Sequence, residues 1–367
     1  MKKVVLASDS FKGTISSARI CELAKSAAPD DIEIKCVPVA DGGEGTVECF
    51  RVAVGAELVT LTVTGPYGEP VHASYARMGT TAIIEMAATC GLPLVGDRLN
   101  PSQTTTYGTG ELINHALSHG CDKILLGLGG SSTNDGGCGI AAALGVLFYD
   151  DRGETFVPTG GTLQNIAHID TSAAPHFDLT LMCDVTNPTI GQNGAAYVYG
   201  PQKGADAEML ILLDSGLAHM CEIIEKDLSV KVSTLTGGGA AGGTGAGMYA
   251  FLGGKIVSGI DAILDATSFA DMLDDATLCI TGEGKIDSQS INGKALSGIS
   301  KLCKEYGVPL VAIAGIAEDE EIVKRELSLS EIYITNKNNL PFEIAARTAE
   351  ADYTATIRKI FEEIERR

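Results

Sequence analysis

The sequence predicts an α/β protein of two α/β domains, and three observations predict it. Strand-like runs alternate with helical spacing at both ends of the chain. Between them, from about Glu57 to Glu85, the texture changes to short Thr/Val-rich alternation. Glycine clusters repeatedly follow the strand-like runs, as at "LLGLGGSSTNDGGCG" over 125–139. Strands alternating with helices imply right-handed crossovers and a parallel sheet.

"VVLAS" reads as a buried strand and "DSFKGTIS" as the loop after it. Ile20, Leu23, Ala24 and Ala27 then carry helical spacing as far as Pro29. "IEIKCVPVA", "DGGEGT" and "VECFRVAVG" repeat strand, loop and helix, with Gly55 at the helix end. The alternating runs around "GPYGEP" predict antiparallel hairpins and a domain border. A long helix is expected from Ala205 to Lys226, followed by the glycine-rich "TGGGAAGGTGAG". The last third returns to alternation: "ATLCI", the loop "TGEGKIDSQS" and a helix closing at Gly307; "VPLVAIAG" and a helix; "EIYIT" and a final helix. The shared rhythm of the two ends predicts one discontinuous parallel domain, Rossmann- or flavodoxin-like, over 1–75 and 260–367. An α/β domain on a mixed sheet is expected to be inserted over 76–259, with the active site in the cleft between them.

Composition narrows the function. At 367 residues and 45 % hydrophobic, the chain is long enough for two cores. It carries 47 acidic against 27 basic side chains, a net charge of −20, and no basic block, so nucleic acid and anionic membrane are excluded as partners. An anionic substrate must be met by locally gathered cations. The ten cysteines form no C-x-x-C pair and read as small buried residues in a reducing cytoplasm. The apolar start "MKKVVLAS" stops at Ala7, too early for a signal peptide, and no run is long enough to span a membrane.

In open parallel sheets, ligands bind beyond the carboxyl ends of the strands. There "DSFKG", "DGGEGT", "GGSSTNDGG" and "TGEGKID" are expected, with helix N-termini that suit phosphate. Lys12, Lys203, Lys255, Lys285 and Lys294 stand close to glycines and form a candidate phosphate funnel. Singly, each lysine could be a solvated turn residue, and Asp41, Asp135 or Asp184 an N-cap. Their coincidence in several post-strand loops favours a site. No P-loop motif and no G-x-S-x-G elbow occurs, and "GGTGAG" misses the dinucleotide fingerprint. His115 and His119 lack the glutamate of a metalloprotease helix and read as a helix end. Phosphoryl transfer by positioning, Mg²⁺ and cations remains.

"DSFKGTISS", "PVADGGEGT", "GLGGSSTNDGG", "DVTNPTIGQNGAAYVYGPQKGA", "GGGAAGG" and "TGEGKIDSQSINGK", in this order along nearly the whole chain, resemble the bacterial glycerate 2-kinase family. The resemblance implies ATP and D-glycerate as partners, transfer of the γ-phosphoryl group to the 2-hydroxyl, Mg²⁺ as cofactor and two α/β domains. Lys285 stands where the family often has arginine, and lysine lacks the bidentate fork.

Within these motifs, Asp184 is the first candidate for the base and Asp41 the second; Lys285 is the third candidate catalytic group. Asp135, Glu283 and Asp287 are the candidate Mg²⁺ ligands. Ser10, Lys12, Gly129, Gly130, Ser131, Ser132, Thr133, Asn134, Asn187, Lys203, Gly284 and Lys294 are the candidate substrate and nucleotide contacts. Glycines 129 to 137 are expected to admit phosphate close to backbone N–H groups. A kinase of another small hydroxy acid, a 3-phosphate-forming enzyme and a non-catalytic two-lobed sensor stay open, as does a homo-oligomer.

Overall fold

The computed structural model describes residues 1–11, 13–37, 39, 45–288, 290–292, 294–336, 338 and 340–366, with backbone alone at 292 and 294. Two compact units divide the chain: Met1–Ala40, Glu48–Ala56 and Ile260–Arg367 in the first, Asp41–Val47 and Glu57–Gly259 in the second.

The first unit is built on a five-stranded parallel sheet. Its strands run in the order Leu329–Ile334, Leu310–Ala317, Leu278–Ile286, Lys2–Ser8, Ile32–Cys36. Val4, Val5, Leu6 and Ala7 are all fully buried. A continuous apolar run is what a strand covered on both faces requires. Leu6, Ile280 and Ile313 join one core with Ile20 and Leu23 of helix Ser17–Ala27 and with Tyr353, Ile357 and Phe361 of helix Phe342–Glu365. Ser16 caps the first of these helices, its hydroxyl accepting from Arg19 N at 3.2 Å. Cys279 alternates to the face opposite Ile280, and it is buried, as is Cys303 of helix Lys294–Glu305.

The expected loop "TGEGKIDSQS" is strand as far as Ile286. Glu283 pairs with Ala314 and Lys285 with Ile316 in the parallel ladder. A Cβ on Gly282 would run into the Ile313 carbonyl, and one on Gly315 would stand 2.6 Å from Gly284 O. Glycine serves close approach of neighbouring backbones here, not a turn.

The second unit carries a six-stranded mixed sheet in the order Lys255–Val257, Asp178–Met182, Lys123–Gly127, Thr81–Glu85, Pro70–Met78, Glu57–Thr64. The first four of these strands are mutually parallel and the last two antiparallel. Strand Glu57–Thr64, placed with the first domain by the sequence, hydrogen-bonds into this sheet along its whole length. A small antiparallel sheet of Thr155–Phe156, Leu147–Tyr149 and His168–Asp170 was not expected.

The long helix runs over Ala207–Leu228, its Asp206 cap accepting from Met209 N at 2.9 Å. The glycine-rich run near 240 is not simply a loop. Helix Ala240–Leu252 begins inside it, with Ala241, Gly242 and Gly243 left-handed. His119 caps helix Tyr107–Ser118 and stacks on His115 at 3.9 Å, as a helix end does. All ten cysteines are free and buried, and no helix among the described residues is long and apolar enough to cross a membrane.

Candidate active site

Each unit holds a cavity at the carboxyl ends of its parallel strands. In the second unit a cavity of about 220 Å³ opens beyond Lys123–Gly127 and Asp178–Met182. Gly129, Gly130, Ser131, Asp184 and Lys203 all line it. Lys203 is the unusual member, a lysine only 3 % exposed. It closes the short helical turn Pro201–Lys203, and its ammonium donates to Ser131 Oγ at 3.0 Å and to the Thr133 carbonyl at 2.7 Å. Burial pulls its pKa down to about 8, against the pull of the Cys90 and Asp135 charges. Ser131 Oγ accepts from the ammonium, so its own proton remains to donate. Asp184 stands exposed just past its strand, with Oδ1 accepting from Gly259 N at 3.4 Å. The lining thus offers a cation, a hydroxyl donor and a carboxylate.

The remaining residues of the glycine-rich motif face inward. Ser132 Oγ donates to Cys90 O at 2.9 Å and is buried, which removes it from ligand contact. Thr133 and Asn134 are buried as well and do not line the cavity. Asp135 is fully buried. Its carboxylate accepts from Thr106 N (2.8 Å), Thr106 Oγ1 (2.9 Å), Gly137 N (3.1 Å) and Gly139 N (3.3 Å). With those four donors satisfied, Asp135 does not fit a Mg²⁺ ligand; it ties the start of helix Cys138–Ala143 to the start of helix Tyr107–Ser118. Burial raises its pKa while these hydrogen bonds oppose the rise.

Gly136 and Gly137 likewise serve packing rather than phosphate. Both are left-handed (φ 64° and 75°), and a Cβ on Gly137 would lie 3.1 Å from Met248 Cε; one on Gly136 would strike the Met220 sulfur. Asn187 is spent within its loop, donating to Asn193 O at 2.8 Å and accepting from Tyr199 OH at 2.6 Å. It positions Tyr199, which lines the cavity.

Ser10, Glu283, Gly284 and Lys285 line the second cavity, in the first unit. The Lys285 ammonium pairs with Glu318 at 3.0 Å and Asp287 at 3.2 Å, and these hydrogen bonds raise its pKa. Ser290 Oγ donates to the Glu283 carboxylate and accepts from the backbone Asp287 N, while the Asp287 carboxylate pairs with Lys285. No cluster of three His, Cys, Asp or Glu side chains among the described residues could hold a metal by itself. Glu283 and Asp287 fit the lighter demand of Mg²⁺, which needs one or two carboxylates when phosphate oxygens and water supply the rest. Lys12 and Asp41 lie outside the described residues, as does the Lys294 side chain, whose backbone opens helix Lys294–Glu305.

Tyr199, Gln202, Ala240 and Ala241 also line the first of these cavities; all four lie inside the sequence motifs, where nothing in the residue types marks them as contacts. Phe342, Ala345, Ala346 and Ala349, in the other cavity, lie outside every motif. Their signal was the i, i+3, i+4, i+7 spacing of a helix face, which ordinarily means core.

The glycerate kinase family model matches residues 4–365. A glycerate kinase of Bacillus cereus is 41 % identical over 98 % of this chain and 97 % of its own. The glycerate 2-kinase of Escherichia coli is 42 % identical over 90 % of each chain. A crystal structure of a Salmonella typhimurium LT2 protein described as a glycerate kinase 2 superposes with a TM-score of 0.84, at 39 % identity, covering 99 % of this chain and 98 % of that one. Motif order, cavity chemistry and these likenesses agree: the chain belongs to the glycerate kinase family.

Proposed function

We propose that the chain transfers the γ-phosphoryl group of ATP to the 2-hydroxyl of D-glycerate, giving 2-phospho-D-glycerate and ADP, in the cytoplasm. One observation carries the substrate's place: the buried Lys203 ammonium, fixed by Ser131 Oγ and Thr133 O, on a small cavity that Asp184 also lines. A hydroxy acid presents a carboxylate and a hydroxyl. Lys203 and the Ser131 proton meet the carboxylate, and Asp184 meets the hydroxyl.

In the step itself, the substrate oxygen forms a bond to the γ-phosphorus as the bridging oxygen to the β-phosphorus leaves with ADP. Asp184 takes the hydroxyl proton, and Lys285 stands by the charge on the phosphates. Mg²⁺, when bound, neutralises phosphate charge, and Glu283 and Asp287 are the carboxylates that would hold it. The 2-position follows the Escherichia coli relative. Phosphorus NMR of the product from MgATP and D-glycerate tests this: the 2-phosphate is expected. The 3-phosphate alone would overturn the regiochemistry, and no ADP above a control without glycerate would sink the assignment.

A further inference from the structure

The cavity in the first unit differs in kind. It measures about 400 Å³ and lies over the carboxyl ends of Lys2–Ser8, Leu278–Ile286 and Leu310–Ala317. Volume on that scale is typical of sites for molecules much larger than glycerate. Among the described residues its lining includes no buried cation to seat a small carboxylate: Lys285 is half-exposed and already paired with two acids, and Asp9, Glu283 and Asp352 add carboxylates to the lining.

One wall is apolar. Phe11 and Ile316 contribute from the sheet side, and Phe342 with Ala345, Ala346 and Ala349 from helix Phe342–Glu365. The alanines share a helix face with Phe342 and form a trough of short side chains on this wall, where larger ones would narrow the cavity. Phe342 is 61 % exposed and Ile316 37 %, so large apolar side chains meet water around a concave surface. Gly13 belongs to the same construction, because a Cβ there would stand 2.9 Å from Phe342 Cζ.

The rim is polar and held in place. Asn336 closes on Leu340 through both ends of its amide, each bond 2.9 Å. Asn336 N also donates to Gly315 O at 3.2 Å, and Thr335 N to Ala314 O at 2.8 Å. The Ser10 hydroxyl has no partner among the described residues and faces the cavity from the strand end.

We propose that this cavity takes the purine base and ribose of the nucleoside triphosphate, the base lying along Phe342 and the alanine trough, with Lys285 on the phosphate side. An apolar trough with a fixed polar rim suits a flat heteroaromatic ring that also carries hydrogen-bonding edges. The assignment deepens the kinase proposal and rests on it for the identity of the ligand.

The test uses the full chain and two variants, Ala346→Leu, which keeps a strong helix former while filling the trough, and Phe342→Ala, which removes the stacking ring. A fluorescent ADP analogue with Mg²⁺ reads binding without turnover, and steady-state kinetics read the KM of each substrate. Both variants are expected to weaken ADP binding and raise the KM for ATP by roughly tenfold or more, as loss of a central aromatic contact does. The KM for D-glycerate and the melting temperature should hardly move. ADP affinity unchanged in both variants, or D-glycerate affinity lost in place of it, overturns the assignment, as does failure of the unaltered chain to bind the analogue. Binding of the analogue that both variants weaken, without any phosphoglycerate formed by the unaltered chain, would instead sink the kinase proposal and leave the cavity assignment standing.

Discussion

The cavity of the second unit and that of the first show two ways a parallel sheet edge becomes a site. In the second unit the charge is inside the protein: Lys203 is buried and depends on two fixed acceptors. In the first unit the lysine is half-exposed between Glu318 and Asp287, one wall is apolar, and Asp9, Glu283 and Asp352 stand on the rest of the lining. A buried, pre-positioned cation costs desolvation but discriminates strongly for a small anion. An apolar trough with solvated charges suits a large ligand that brings its own charge and counter-ion. The difference teaches that two post-strand loops of similar glycine-rich composition can be built for opposite purposes.

The largest expected effect falls on Asp184. Asp184→Asn, nearly isosteric, should lower kcat on the order of 10² to 10⁴, the usual range for a general base, and leave the KM for ATP nearly unchanged. Turnover close to that of the unaltered enzyme would return Asp184 to a mere rim residue and blur the contrast between the two cavities.

The pH dependence sharpens it. Lys203 titrates near 8 in the fold against an ordinary value of 10.5, because burial disfavours the ammonium. As pH rises through about 8, kcat/KM for D-glycerate should therefore fall, since the free enzyme loses its buried cation. Stability should move the other way. Between about 8 and 10.5 the unfolded chain holds the proton that the folded chain has lost, so this lysine's contribution to stability rises with pH over that window. Lys203→Met should flatten both trends, as read by pH profiles of kcat/KM and of denaturant midpoints.

A smaller effect is expected at Asp135. Asp135→Asn places an amide among four donors that need an acceptor, and should cost about 1–3 kcal/mol of stability. The Mg²⁺ concentration that supports half-maximal rate should stay where it was. A shifted Mg²⁺ titration with unchanged stability would make Asp135 the metal ligand that its geometry argues against.

How much of this was legible in the sequence differs between the same two regions. Around Lys203, the motifs hold Gly129, Gly130, Ser131, Asp184 and Lys203 among the candidate site residues, and these five line one cavity. It could not separate Ser131 from Ser132, or Asp184 from Asp135, because a polar side chain one residue on can turn into the core. Which way it turns depends on partners such as Cys90 O and Thr106 N, far away in sequence. In the first unit the strand continued through "TGEGKI", since glycines that mark a loop by composition also permit tight backbone packing between strands. The alanine trough was invisible because the spacing that faces a cavity is the spacing that faces a core. Alternating α/β periodicity, by contrast, is local and strong, and the five-stranded parallel sheet follows it.

The most direct test of the central claim, that the buried lysine seats the acid, is the equilibrium affinity of D-glycerate and of ADP for the unaltered chain and for Lys203→Met, measured by calorimetry. The account predicts that Lys203→Met weakens D-glycerate by about 10² or more, as loss of a buried charged hydrogen-bond partner does, and leaves ADP affinity within about twofold. D-glycerate bound as tightly as before, with ADP affinity lost instead, would contradict it.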